Sequence, residues 1–245
     1  MKYLKTILLT LLFTLFSVVC FAGDLEDKLL LAVQTNNFSD VKKYIKKGAD
    51  VNSRNFLVFA TNPENDLEII KILIEAKADV NKPDEQGRTP LISAARNNNI
   101  EAFKLILTAN ANVNSQDNAG NTALIEAIDT NNIEMVKLLI SSNADLNIIN
   151  KNGVFALLAA TNSNKIEIVE LLLNAKANPN TVSDLGTALI MASSKNNIEI
   201  VKLLLAAKAD VTLKDRYGQT ALFRTSSRGN NDEIAKLLKK AGAKK

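Results

Sequence analysis

Residues 78–91 read Ala78-Asp79-Val80-Asn81-Lys82-Pro83-Asp84-Glu85-Gln86-Gly87-Arg88-Thr89-Pro90-Leu91. The opening tetrad returns as Ala111-Asn112-Val113-Asn114, Ala144-Asp145-Leu146-Asn147 and Ala177-Asn178-Pro179-Asn180, each step being 33 residues. Gly87, Gly120, Gly153 and Gly186 keep the same step, nine residues after each alanine. Thr89-Pro90-Leu91 is echoed by Thr122-Ala123-Leu124, Thr187-Ala188-Leu189 and Thr220-Ala221-Leu222. A fixed period in this range marks stacked supersecondary units, none of which can bury its apolar face alone.

Between these markers lies a second apolar run, seen in Asn132-Ile133-Glu134-Met135-Val136-Lys137-Leu138-Leu139 and Asn197-Ile198-Glu199-Ile200-Val201-Lys202-Leu203-Leu204. The order of turn, Thr-Pro-Leu, Ile-Val-x-x-Leu-Leu and Ala-Asp-Val-Asn resembles the ankyrin repeat. The resemblance implies an all-α repeat solenoid, a helix-turn-helix stack with β-turn fingers. It covers nearly all of residues 24–245 in about seven units, caps included. Their approximate bounds are 24–52, 53–83, 84–116, 117–149, 150–182, 183–213 and 214–245, making one ankyrin repeat domain over 23–245.

Local chemistry agrees. A threonine such as Thr89 or Thr122 caps the first helix through its hydroxyl, and Pro90 suits the first helical turn. Leu91, Ala94 and Ala95 give a narrow face that neighbours can approach closely. The second helix, as in Ile198 to Leu205, is apolar on more than one stripe, as expected between two neighbouring units. Glu-to-Lys pairs three apart recur at 68/71, 101/104, 134/137, 199/202 and 233/236, and Glu167/Glu170 breaks the pattern. Phe56, Phe59, Phe103 and Phe155 take repeat-phase core positions. The chain also holds roughly 30 asparagines. Asn98, Asn131, Asn164 and Asn196 fall at or beside the turn between the helices, and Asn110 and Asn143 follow the second helix. Both are places where the family has glycine, and asparagine tolerates the left-handed conformation best among the other residues. Lys77, Lys176 and Lys208 share the second place, at about 1 kcal/mol each if left-handed.

Three departures from the family pattern bear on function. The histidine expected after Thr-Pro-Leu is replaced by Ile92, Ile125, Leu158, Ile190 and Phe223, so apolar packing is expected there. The segment from Ala49 to Leu57 is five residues shorter than its counterpart from Ala78 to Leu91, and one residue is missing between Gly186 and Leu189. Irregular fingers near both ends read either as drift or as a binding face limited to the middle repeats.

Composition excludes much chemistry. The 245 residues include no histidine and one cysteine. No Ser-His-Asp triad, Cys-His dyad or histidine metal site can form. No Gly-x-Gly phosphate loop occurs. Asp84, Asp117 and Asp215 precede finger glycines at fixed phase. A carboxylate ladder for calcium or sugar is one reading; closing each residue's own turn is the favoured one, since Asn150 and Ser183 fill the same phase. No metal, cofactor or catalytic residue is assigned. An enzyme here would need a carboxylate-only mechanism such as glycoside hydrolysis, and no paired-acid motif stands out.

Residues 1–22 begin with a basic pentad, Met1 to Lys5, followed by an apolar run from Ile7 to Val19 and the small-x-small exit Cys20-Phe21-Ala22. That is the pattern of a secretory signal peptide cut after Ala22, with an uncleaved anchor as the alternative. Cleavage removes the cysteine and leaves 28 basic and 26 acidic residues, a net of +2. The expected address is periplasmic or secreted, in a bacterium. Residues 214–245 carry nine basic and three acidic residues, which reads as a solvated cap or as a surface for an anionic partner.

The function implied by the resemblance is a non-catalytic protein-binding scaffold, with a secreted factor acting on a host-cell protein as the alternative. A monomer is expected, with no nucleic-acid partner and no membrane association after cleavage. Carried over by position, the contact residues are Glu85, Gln86, Arg88 and Arg96 in unit three and Asn118, Ala119, Asn121 and Asp129 in unit four. Lys151, Asn152 and Asn162 come next in unit five, then Asp184, Leu185 and Ser194 in unit six, and Arg216, Tyr217 and Gln219 in unit seven. Tyr217 with Arg216 is the expected anchor, since interface hot spots favour those residue types.

Overall fold

The computed structural model describes residues 24–226 and 232–244. Residues 1–22, read above as a signal peptide, lie outside the described residues. Among the described residues fourteen helices are arranged in pairs: α1 Leu25–Gln34, α2 Phe38–Lys46, α3 Phe56–Ala60, α4 Leu67–Glu75, α5 Pro90–Arg96, α6 Ile100–Thr108 and α7 Ala123–Asp129. The second half holds α8 Ile133–Ser141, α9 Ala156–Asn162, α10 Ile166–Asn174, α11 Ala188–Ser194, α12 Ile198–Ala206, α13 Ala221–Ser226 and α14 Asp232–Lys240. Odd-numbered helices form one row and even-numbered helices a second row behind it. About seven units thus stack through contacts with their neighbours, as a solenoid does.

Each unit's first helix is set by its cap. The hydroxyls of Thr89, Thr122, Thr187 and Thr220 accept from the backbone N–H of Ile92, Ile125, Ile190 and Phe223. Phe155 takes this place in unit five without a side-chain cap. Behind the cap Leu91, Ala94 and Ala95 are almost fully buried. Ile92, Ile125, Leu158 and Ile190 are buried too, in place of the family's polar contact. Phe223 departs from that expectation and is 53% exposed, since no unit packs beyond it among the described residues. Phe56, Phe103 and Phe155 fill the core, whereas Phe59 is 38% exposed, because the shortened unit two has no finger to overhang it.

The asparagines do three jobs, one of which the turn reading anticipates. Asn36, Asn98, Asn131, Asn164 and Asn196 adopt positive φ between the paired helices, and Asn110 and Asn143 do so after the second helix. Lys77, Lys176 and Lys208 are left-handed as well, with φ of 63–68°. The second job is capping: Asn99, Asn132 and Asn197 accept from the backbone of Ala102, Met135 and Ile200. The third is stitching between units. Asn52, Asn81, Asn114, Asn147 and Asn180 accept from the backbone N–H of Asp79, Asn112, Asp145, Asn178 and Asp210 at 2.7–2.9 Å.

The charge pairs also run between units more than along a helix. Glu68/Lys71 and Glu101/Lys104 meet within one helix. Lys104 also reaches Glu134 at 2.7 Å, Lys137 reaches Glu167 and Lys202 reaches Glu233. Glu167, which breaks the intrahelical pattern, therefore serves the preceding repeat.

Candidate functional site

One face of the stack is built from the fingers and the first helices. Each finger closes on a polar side chain at its base. Asp84 Oδ1 accepts from the N–H groups of Gln86 and Arg88, and Asp117 from those of Ala119 and Asn121. Asn150 and Asp215 do the same for 152/154 and 217/219, and Ser183 accepts from Leu185. The fixed-phase carboxylates thus serve their own turns. Among the described residues, no three cysteine or acidic residues gather as a metal site would need.

Fingers three, four and five are joined. Asn118 N–H donates to Gln86 O, its side-chain amide donates to Glu85 O, and Lys151 N–H donates to Ala119 O. The approach is close: a Cβ on Gly87, whose φ is +75°, would lie 2.5 Å from Asn118 Oδ1. No such backbone bond links fingers five and six, or six and seven, among the described residues. The physical reason is the residue missing after Gly186. In the other fingers the base residue donates to a carbonyl four places on, as Asp84 does to Arg88, whereas Ser183 pairs with Gly186 in a tighter bridge.

The two irregular fingers coincide with two openings. The shortened segment before α3 leaves no finger in unit two, and a notch of about 430 Å³ lies beside finger three. Phe59, Asn62, Ser93 and Asn97 line it together with the expected contact residues Glu85, Gln86 and Arg88. Arg88 is held by Asp84 at 2.6 Å and by Gln86 Oε1 at 3.1 Å. Between fingers six and seven lies a second cavity of about 260 Å³. It brings together Asp184, Leu185, Ser194, Arg216 and Tyr217, five of the residues expected from position alone. Tyr217 is 65% exposed; its hydroxyl lies 2.6 Å from Arg216 Nη2, and the guanidinium sits 4.8 Å from the ring centre. Arg224 stands 5.9 Å from the same ring and is bonded to Asp215. Burial pushes the Asp215 carboxyl up, but the Arg224 hydrogen bond and charge, with the N–H groups of Gln219 and Tyr217, hold it below its ordinary value.

Between the openings, the remaining expected residues divide. Asp129, Lys151, Asn152 and Asn162 are exposed on this face, as is Arg96. Asn121 is half-buried and engaged: it donates to Glu126 and accepts from Asn150 at 2.6 Å. Asn118 is tied to finger three, and Gln219 closes its own finger through its backbone, outside the cavity wall. Glu126 is buried beneath Arg96, whose Nη1 lies 3.7 Å from its carboxylate. Burial raises the Glu126 pKa, Arg96 lowers it in part, and Asp129 and Asp117 add to the rise. Desolvation raises Asp129 likewise, against Lys165.

Position-by-position transfer misses the inner stripe of the first helices. Phe59, Ser93, Glu126, Ala159, Met191 and Arg224 fall at one phase of successive units, and Phe59, Ser93, Met191 and Arg224 line the two openings. The signal was available: two residues after the leucine of Thr-x-Leu or its counterpart, the chain keeps the repeat phase while the side chain varies from aromatic to acidic to basic.

The family model for ankyrin repeats (3 copies) matches residues 29–117, 104–183 and 158–245. No curated protein matches the chain. In all, 556 chains of solved structures match, so the fold alone selects no partner. One of them is the crystal structure of the ankyrin repeat domain of Bcl-3, a unique member of the IkappaB protein family. It is 23% identical, with a TM-score of 0.76, over 86% of this chain and 97% of that one. The repeat period, the capped helix pairs and the family match spanning the stack together place this chain in the ankyrin repeat family.

Proposed function

We propose that the chain is a non-catalytic protein-binding scaffold acting outside the cytoplasm, in the periplasm or as a secreted protein. It engages a folded partner on the finger and first-helix face. Ankyrin repeats typically mediate protein–protein binding and are usually non-catalytic. The observation that carries the reading is the exposed Tyr217–Arg216 pair beside an open cavity, an aromatic and a guanidinium already held together. Residue types of this kind dominate binding energy when they sit at the centre of an interface. The basic, apolar, small-x-small order of residues 1–22 supports export.

Capture from an extracytoplasmic extract tests the scaffold. Wild-type protein should retain a partner that Tyr217→Ala and Arg216→Ala variants retain at least tenfold less, a loss of at least about 1.4 kcal/mol, which most interface residues do not reach on truncation. Undiminished capture by both variants removes the pair from the interface. Mass spectrometry of the mature N-terminus tests the address, and a chain that retains residues 1–22 contradicts cleavage.

A further inference from the structure

The cavity between fingers six and seven has a chemistry of its own. Its wall is Leu185, Ile190, Met191 and Tyr217, with Leu185 and Tyr217 exposed. At about 260 Å³ it is smaller than the roughly 300–1,000 Å³ of small-molecule sites, a size suited to one side chain. Its opening has a physical cause, since the residue missing after Gly186 tightens finger six and leaves no backbone bond to finger seven.

The rim is charged unevenly. Asp215 is neutralised by Arg224. Arg216 and Lys195 are exposed and have no carboxylate partner among the described residues, where Asp184 is the one free acid on the rim. In sequence, residues 214–245 carry nine basic and three acidic residues. A partner that buries an apolar side chain here must place its neighbouring residues against Arg216 and Lys195, and carboxylates are the groups those cations favour.

Building on the scaffold reading, we propose that this cavity takes a single aromatic or leucine side chain from an acidic, extended segment of the partner protein, with carboxylates flanking that side chain meeting Arg216 and Lys195. The Tyr217 ring, whose hydroxyl accepts from Arg216, forms one wall.

Selection of random linear peptides against the purified full chain tests this. Recovered sequences should place Phe, Tyr or Leu between Asp or Glu residues. A synthetic peptide of that consensus should bind, and its affinity should fall at least tenfold when its apolar residue becomes Ala, or when the protein carries Arg216→Glu with Lys195→Glu. Both positions are exposed, and circular dichroism checks that the double variant is folded; Tyr217→Ala supplies an independent variant. The proposal is overturned if no acidic-apolar consensus emerges or if the charge-reversed variant binds the peptide equally well. It is also overturned if a labelled oligothymidylate binds as tightly with the same residue dependence, which would mark a general polyanion surface. Peptides sensitive to Asp129→Arg but not to Arg216→Glu would sink this proposal and leave the scaffold reading standing. Absence of any natural partner in the capture experiment would instead remove the scaffold reading.

Discussion

The two interruptions in the finger row differ in size, and the smaller deletion leaves the more reactive surface. Unit two lacks five residues and has no finger; the notch it leaves is lined mostly by polar groups, and Arg88 there is already paired with Asp84. Unit six lacks one residue and keeps a finger, but the finger is tightened and has no backbone bond to either neighbouring finger among the described residues. Removing a whole turn exposes the side of a finished neighbour. Removing one residue shifts a hydrogen-bond register and leaves two fingers without a backbone bond, beside a cavity lined by apolar side chains.

If contact between a finger and the next one along stabilises the stack, glycine substitutions should reveal it, and this is the largest expected effect. Gly87→Ala puts a Cβ against Asn118 and forces a left-handed alanine, so it should cost about 3 kcal/mol in urea unfolding. Gly218, with φ +72° and nothing within 4 Å of an added Cβ, should lose only about 1 kcal/mol on the same change. Equal losses would mean that finger contact adds nothing to the central units.

Next in size is Asp215→Asn. Asn150 closes the corresponding finger of unit five, so the turn survives and only the charge facing Arg224 is lost. A loss of about 2 kcal/mol at neutral pH is expected from leaving Arg224 without its hydrogen-bonded carboxylate. Because the folded pKa is below the ordinary value, the wild-type advantage is present above about pH 4. It fades as pH falls through the lowered value. A gap between variant and wild type that stays constant down to acid pH would contradict the pairing.

Inserting one asparagine between Gly186 and Thr187 restores the finger length of the central units. Recovery of one backbone bond between fingers should raise stability by about 1 kcal/mol, seen as a higher urea midpoint. The same insertion should close the cavity and abolish binding of an acidic-apolar peptide. A stabilised protein that still binds would separate register from opening.

The fold was legible because its period is long, exact in step and marked by residues with mechanical roles, such as Thr89 at a cap and Asp84 at a turn. The shortened fingers could be counted from Ala49 to Leu57 and from Gly186 to Leu189. Their consequences could not, since whether a gap becomes a polar notch or an apolar cavity depends on which side chains the neighbouring unit already satisfies. Arg88 and Arg216 look alike in sequence, yet Arg88 is folded back onto Asp84 and Arg216 onto an exposed ring. Nor could the stitching role of Asn52 or Asn180 be told from the turn role of Asn98, because periodicity gives a residue's phase and not the direction of its side chain. Glu126 was hidden for the same reason: it reads as a polar residue in a helix and lies buried under Arg96.

That buried carboxylate gives the smallest and most diagnostic effect. Asp215 and Glu126 are shifted in opposite directions, the first held down by its guanidinium and turn, the second raised because burial outweighs the Arg96 contact at 3.7 Å. A carboxyl with a raised folded pKa binds its proton more tightly in the native state. Folding is therefore favoured at low pH and loses stability as pH rises from about 4.5 through the raised value. Glu126→Gln keeps an amide able to meet Asn121 and removes the charge that burial disfavours. At pH 7 it should gain under ~1 kcal/mol, while near pH 4 it should match wild type. The stability difference between variant and wild type should thus grow with pH here and shrink toward acid for Asp215→Asn. Two unfolding series over pH 3–8 would measure both. If Glu126→Gln were destabilising at pH 7, Arg96 would be acting as a true ion-pair partner, and the centre of this face would be a fixed charge pair instead of a carboxylate left short of compensation.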